Sequence, residues 1–263
     1  MDLGLRDRVA IVGGGSKGIG RSTALMLAAE GCRVVIAARG APALADAAVT
    51  IAAETGAEVE PVPCDMASNA DITRLVAATA ERFGGIDIVV NNAGGPPLGR
   101  FEQHDDAAWQ QAIDQNLLSV VRMVREALPY LKRSTQARVI NVTSTAVKEP
   151  IDGLILSNAA RLGTTGLAKT LSRELGPHGI TVNNVGPGLT LTDRIRPIIE
   201  AQARAEGRPF EAVAEERARR IPVGRIGAAE DVAALIVFLA SAQVRQISGQ
   251  TILVDGGATG AVM

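Results

Sequence analysis

The sequence predicts an α/β fold: a single doubly wound parallel sheet of seven strands with helices on both faces. Three observations carry that prediction. Seven short β-branched runs alternate with longer Ala- and Leu-rich stretches along the 263 residues. The runs are almost continuously apolar, as parallel strands covered on both sides are, rather than alternating. A glycine-rich turn follows the first run directly.

Taken in order, strands are expected at 8–13, 33–38, 58–62, 86–90, 137–142, 181–185 and 251–254. Helices are expected at 22–30, 105–133, 156–175 and 231–240. The second of these starts in acidic residues and ends in Lys and Arg, which complements a helix dipole. The third carries apolar residues at helical spacing. There is no internal repeat and no Pro/Ser-rich linker, so 1–263 reads as one domain. The exception to regular patterning is 186–227, with Pro187, Pro197, Pro209 and Pro222 around a charged middle. Such a stretch reads as a lid or substrate loop with helices of its own, at about 189–226. It follows a late strand, at the sheet edge where ligands bind in this architecture.

Composition removes several classes. Lys and Arg number 27 against 28 Asp and Glu, a net charge of −1, which lacks the basic excess of a nucleic-acid binder. The longest apolar run, 232–240, is about half of a membrane span. The N-terminal segment lacks the charged head and apolar stretch of a secretory signal. A cytoplasmic protein without membrane or nucleic-acid partners is expected. Cys32 and Cys64 form no metal-spacing motif and read as buried thiols in a reducing compartment. With only His104 and His178, no His-rich metal site is expected.

The turn after the first strand reads Gly13-Gly14-Gly15-Ser16-Lys17-Gly18-Ile19-Gly20. Strand, glycine turn and helix start together make a phosphate cradle. Backbone can approach a pyrophosphate closely, and the helix N-terminus offers free N–H groups. A Rossmann-type dinucleotide site follows. At the end of the second strand an NAD site places a carboxylate for the ribose 2′-OH. Here the strand ends in Arg39, with Lys17 in the turn. Two cations suit a 2′-phosphate, so the cofactor is expected to be NADP(H).

Further motifs extend the pattern: Cys64-Asp65, Asn91-Asn92-Ala93-Gly94, Asn116 in the long helix, Ser144 after the fifth strand, Pro187-Gly188 with Thr192, and Asp255-Gly256-Gly257. In this order, and over nearly the whole chain, they resemble the short-chain dehydrogenase/reductase family, in a branch resembling 3-oxoacyl-carrier-protein reductases. The resemblance implies that Asp65 and Met66 meet the adenine. It also implies that Asn92, Ala93 and Gly94 line the middle of the cofactor, and that Pro187, Gly188, Thr190 and Thr192 hold the nicotinamide amide. A homotetramer or homodimer built through the long helices and last strand is implied as well, with a small-molecule substrate.

The chain departs from that pattern at the position thirteen residues after Ser144. Where members carry Tyr-x-x-x-Lys, this sequence reads Ser157-Asn158-Ala159-Ala160-Arg161. The flanking match continues through 166–175, so the register is kept. Tyr130, the one tyrosine, lies near the end of the preceding long helix and reads as a packing residue.

Ketone reduction needs a hydride on carbon and a proton on oxygen. An aliphatic hydroxyl is a poorer acid than a phenol, and shorter; positioned acid catalysis is worth roughly 10²–10⁴-fold. Arg161 lies four residues after Ser157, on the same helical face. It can bind ribose hydroxyls but not shuttle a proton, its ordinary pKa exceeding about 12. A water held by Ser157 and Arg161 could fill the space of the phenol. Ser144 either contacts a substrate oxygen or supports its loop. Lys148 either stabilises an oxyanion or enolate or is a solvated loop lysine. Asn116 is expected to bend or hydrate the long helix, while Asn158 faces the ribose or caps local backbone. Leu154, Leu156, Leu189 and Phe210 make either a pocket or core, and the Arg and Glu residues of 193–225 read as a charged helix face.

Three functions remain open: an NADPH-dependent reductase with a rebuilt proton path, a reductase of enones or imines that need no strong acid at this place, and a catalytically silent NADP(H)-binding oligomer or sensor. The nicotinamide-end residues 187–192 favour the first two.

Overall fold

The computed structural model describes residues 1–262. Its sheet has seven parallel strands: β1 (Val9–Gly13), β2 (Arg33–Ala38), β3 (Val59–Pro63), β4 (Ile88–Asn91), β5 (Arg138–Val142), β6 (Thr181–Pro187) and β9 (Thr251–Val254). They lie in the order β3-β2-β1-β4-β5-β6-β9. The doubly wound sheet expected from the apolar runs is present, with strand ends shifted by a residue or two from the sequence reading. Strand order reverses between β1 and β4, and their C-terminal ends open the crevice where this class of sheet binds ligands.

Alternation along the strands divides the core into two layers. Ala10, Val12, Val34 and Ile36 face one side with Leu27, Leu44, Ile51 and Ile236. Ile11, Val35, Val89 and Val139 face the other with Ile72, Leu75, Met123 and Leu131. The helices covering these faces are α1 (Gly18–Ala29), α2 (Ala41–Thr55), α3 (Asn69–Phe83), α4 (Asp106–Ile113), α5 (Ser119–Leu131), α6 (Ile155–Glu174) and α9 (Ala229–Ala240). Helices α2 and α3 were not anticipated. Both bury residues at helical spacing, Leu44, Ala47, Ala48 and Ile51 in α2 and Ile72, Leu75, Val76 and Thr79 in α3, and both have clear boundary residues. Ser68 accepts a hydrogen bond from the Asp71 amide at the start of α3, and Gly56 and Gly84 close α2 and α3 in the left-handed conformation.

The helix expected at 105–133 is not a single α-helix. It passes through a π-turn, Asp114–Leu118, between α4 and α5. Asn116 sits in that turn, buried, with its Nδ2 donating to the Ala112 carbonyl at 3.2 Å. A π-turn widens the helix locally and re-aims the side chains around it.

The segment after β6 has the expected helices, α7 (Ile195–Glu206) and α8 (Phe210–Arg219). A short parallel pair, β7 (Thr190–Leu191) with β8 (Gly227–Ala228), joins its two ends. The lid therefore has its own small core, of Ile199, Ala203 and Val213, with Phe210 packed against it. Its charges pair among themselves, Arg208 with Glu206 and Glu216, and Arg219 with Glu215.

Four strands are also tied by side chains. Asn91 donates to Asn141 Oδ1 at 2.9 Å, Asn141 to Asn184 Oδ1 at 2.9 Å, and Asn184 to Thr251 Oγ1 at 3.0 Å. These residues are register partners across β4, β5, β6 and β9.

Helix α9 is held at both ends. Arg138 Nε and Gln136 Nε2, from the start of β5, donate to the Ser241 and Ala240 carbonyls at its C-terminus. At its N-terminus Asp231 accepts from the Ala228 amide at 2.7 Å and forms a bidentate pair with Arg225, at 2.6 and 2.8 Å. The Arg225 hydrogen bond, followed by the Ala228 amide, lowers the Asp231 carboxyl from 3.8 to about 2. A carboxylate whose folded pKa lies below its unfolded value adds stability that is complete above the unfolded pKa and is lost as pH falls through the folded one. Asp231→Asn is therefore expected to lower the melting temperature at pH 6. It should also flatten the loss of stability between pH 4 and pH 2, as followed by thermal melts across that range.

Candidate active site

The crevice at the strand ends is a cleft of about 920 Å³, running from the first glycine turn to the lid. At one end the turn brings Gly14, Ser16, Lys17, Gly18 and Ile19 to the wall. Gly20 lies behind it. A Cβ on Gly20 would sit 2.6 Å from the Gly14 carbonyl carbon and 2.9 Å from Asn92 Nδ2, so no other residue fits. Asn92 Nδ2 also donates to the Gly13 carbonyl at 3.0 Å, tying the turn to the end of β4. Gly14 and Gly18 have φ of 61° and 55°, values glycine adopts at little cost. The turn is thus a cradle of backbone at the start of α1, the geometry that suits a pyrophosphate.

Arg39 and Lys17 both stand on this wall with their side chains exposed. Asp65, Met66 and Cys64 form the neighbouring stretch. The Cys64 thiol is pushed up to about 12, burial being the first cause, and Cys32 likewise, so both stay neutral and unreactive at ordinary pH. Asn92, Ala93 and Gly94 line the middle. Pro187, Gly188, Thr190 and Thr192 line the far end. Gly188 packs on Asp255 so closely that a Cβ would fall 2.6 Å from the Asp255 Cβ, and its amide donates to the Val254 carbonyl at 2.9 Å.

At that far end Ser144, Ser157 and Arg161 face one cavity. Ser144 starts a short 3₁₀ turn and accepts from the Ala146 amide at 3.1 Å. Ser157 is buried on the first turn of α6, and its hydroxyl makes no hydrogen bond to another of the described residues. Arg161, one turn on, sends Nη1 to the carbonyls of Val142 and Thr143 at 2.7 and 3.0 Å, so the helix is pinned to the end of β5. Burial, and then the nearby Arg194 charge, pull its pKa down to about 10, so it is a cation at neutral pH.

Asn116 does not reach the main cleft. It lines an adjoining cavity of about 10 Å³ together with Asn91 and Arg161, and the Oδ1 atoms of both asparagines are buried without a partner among the described residues. That volume is about that of one water. Lys148 lies outside the cleft, exposed at the end of the 3₁₀ turn, because the turn directs the chain toward solvent. Asn158 caps local backbone, donating to the Ile151 carbonyl at 3.0 Å. Of the three candidate pocket leucines and Phe210, Leu154 and Leu189 line the cleft, Leu156 is core, and Phe210 belongs to the lid core. Tyr130 packs against the core around α5 with Arg133 over its ring at 5.0 Å, away from the cleft.

Sequence reasoning missed Arg194 and Arg217, which stand on the inner wall. Their signal was masked by the many lid charges that do pair.

Comparison with known proteins places this geometry in context. Residues 14–259 match the family model described as enoyl-(acyl carrier protein) reductase. A 3-oxoacyl-[acyl-carrier-protein] reductase of Synechocystis sp. is 35% identical over 257 residues, covering 96% of this chain and 97% of that protein. The L-sorbose reductase of Gluconobacter frateurii, solved with NADPH and L-sorbose, superposes with a TM-score of 0.97 at 28% identity over 100% of both chains. An NADPH-bound short chain oxidoreductase of Pseudomonas aeruginosa PAO1, described as containing an atypical catalytic center, superposes with a TM-score of 0.90 at 30% identity, over 98% of this chain and 100% of that one.

The close approach at Gly20 makes a direct test of the cradle. Gly20→Ala is expected to weaken NADPH binding by at least about tenfold and to lower the melting temperature, read by nicotinamide fluorescence and a thermal melt.

Proposed function

This chain belongs to the short-chain dehydrogenase/reductase family, and from that premise we propose that it is an NADPH-dependent reductase delivering hydride to a C=O, conjugated C=C or C=N bond of a small molecule without a phenolic proton donor. The observation that carries the reading is Ser157. It stands buried on the wall of the cleft that Ser144 also lines, one helical turn before Arg161, while Tyr130 is packed elsewhere.

The residues fit the cofactor. The cradle around Gly14, Gly18 and Gly20 takes the pyrophosphate, and Lys17 with Arg39 takes the 2′-phosphate. Thr190 and Thr192, with Pro187 and Gly188, hold the nicotinamide end against the inner wall. Bound there, the reduced nicotinamide supplies the hydride. Ser144 and Ser157 offer hydroxyls to the substrate atom that gains charge. Arg161 remains charged at neutral pH and fixed to β5, so it contributes positive potential rather than a proton. The proton comes from water, which favours acceptors that take up hydride to give a stabilised enolate, or imines already protonated, which hydride converts directly to the neutral amine. Lys148, exposed outside the cleft, has no part in this scheme. A homo-oligomer through the long helices is supported by Leu162, 55% exposed on α6.

Two measurements test the reading. In the first, Arg39→Asp is expected to weaken NADPH binding by about 10- to 100-fold, the loss of one or two charge-assisted hydrogen bonds, while NADH binding is spared. Unchanged NADPH affinity would remove Arg39 from the site. The second is turnover on a panel of ketones, enones and cyclic imines with NADPH. Enones or imines are expected to outrun ketones, and Ser157→Tyr with Arg161→Lys to raise ketone turnover by up to about 10²-fold. Tight NADPH binding with no turnover across the panel would identify a silent binder instead.

A further inference from the structure

The inner half of the cleft is unusually cationic. Arg161, Arg194 and Arg217 all line it. None of the three forms an ion pair among the described residues, although other lid arginines do. Arg217 is pointed by Gln202, whose Oε1 accepts from its Nε at 3.0 Å. The carboxylates on the rim, Asp152 and Asp193, are exposed and pair with none of them.

Arg194 is the best placed. It begins the lid and reaches across to the loop after β4, where its Nη2 donates to the Pro96 carbonyl at 2.9 Å. Its guanidinium lies over Gly95, where a Cβ would fall 2.6 Å from Arg194 Cζ. The absent side chain at Gly95 is what lets the planar group settle there. One hydrogen bond uses one of five N–H donors, and the others have no partner among the described residues. Burial lowers its pKa, and its charge in turn lowers that of Arg161. Two guanidinium groups that line one cleft with no carboxylate paired to either, Arg194 with most of its donors open to the cleft, make a site that a planar anion fits.

We infer that Arg194 is a specificity residue that receives a carboxylate of the substrate, so that the preferred acceptors are carboxylated carbonyl or enone compounds. This rests on the reductase reading for turnover, but not for binding. Two matched pairs test it: 4-oxopentanoate against 4-oxopentanamide, and 3-oxocyclohexene-1-carboxylate against its amide. NADPH affinity is measured separately by fluorescence. The native protein is expected to prefer the acids by at least about tenfold in kcat/KM. In Arg194→Met the acid-over-amide ratio should fall toward one, through a rise of about 10- to 100-fold in KM for the acids. NADPH affinity should be retained, and Arg194→Lys should recover part of the preference.

Equal use of acid and amide by the native protein would overturn the proposal. So would a parallel loss on both in Arg194→Met, or a loss of NADPH affinity, which would assign Arg194 to the cofactor. Should no acceptor turn over, benzoate binding to the NADPH complex decides. Quenching of nicotinamide fluorescence in the native protein but not in Arg194→Met upholds the carboxylate site while the reductase reading fails. No binding to either sinks the proposal itself.

Discussion

Everything in this cleft depends on how closely three backbone segments approach at the strand-order reversal. The Gly13–Gly20 turn, the start of α1 and the end of β4 meet with no room for side chains at Gly13, Gly14 and Gly20, and Asn92 bridges them. That contact aims the α1 N-terminus into the crevice and sets the distance from the cradle to the loop carrying Ala93 and Gly94. The same loop continues to Gly95 and Pro96, the resting place of Arg194. A single steric requirement near the N-terminus thus positions groups at both ends of the cleft.

The cleft divides electrostatically into two halves. Lys17 and Arg39 stand in water at the outer end, where their charges are screened and recruit a ligand from solution. Arg161, half-buried, and Arg194, more open to the cleft, stand at the inner end, where each guanidinium leans on backbone carbonyls instead of a carboxylate. Carbonyl dipoles leave the net charge in place, so the inner potential stays positive. Serine in place of a phenol suits such a site: positive potential favours negative charge developing on the substrate before any proton arrives.

The sheet was legible because its central strands are fully covered and so nearly all apolar, and because glycine turns cannot be rewritten without steric cost. The cofactor wall was legible for the same reason: Gly14, Gly18, Arg39, Asn92, Gly188 and Thr192 sit where strand ends put them. Helices α2 and α3 were not read: in α2 alanines on every face dilute the period of Leu44, Ala47, Ala48 and Ile51, while in α3 the period of Ile72, Leu75, Val76 and Thr79 was there to be found. The π-turn at Asp114–Leu118 carries no local signature; it answers to packing, with Thr164 of α6 donating to the Asn116 carbonyl at 2.7 Å. Lys148 stayed open between an oxyanion stabiliser and a solvated loop lysine because its spacing from Ser144 gives no hint that a 3₁₀ turn intervenes and leaves it exposed. Arg194 was hidden among lid arginines of identical type, and only tertiary packing separates the unpaired ones from the rest.

The asparagine ladder across β4, β5, β6 and β9 has a direction. Every amide in it donates toward β9, so the oxygen ends all point the other way and their small dipoles add. The electronegative terminus of this series is Asn91 Oδ1, which lines the same small cavity as the Arg161 guanidinium. A row of uncharged side chains, laid through the middle of the sheet, thereby ends with its acceptor at a cavity that the arginine also lines.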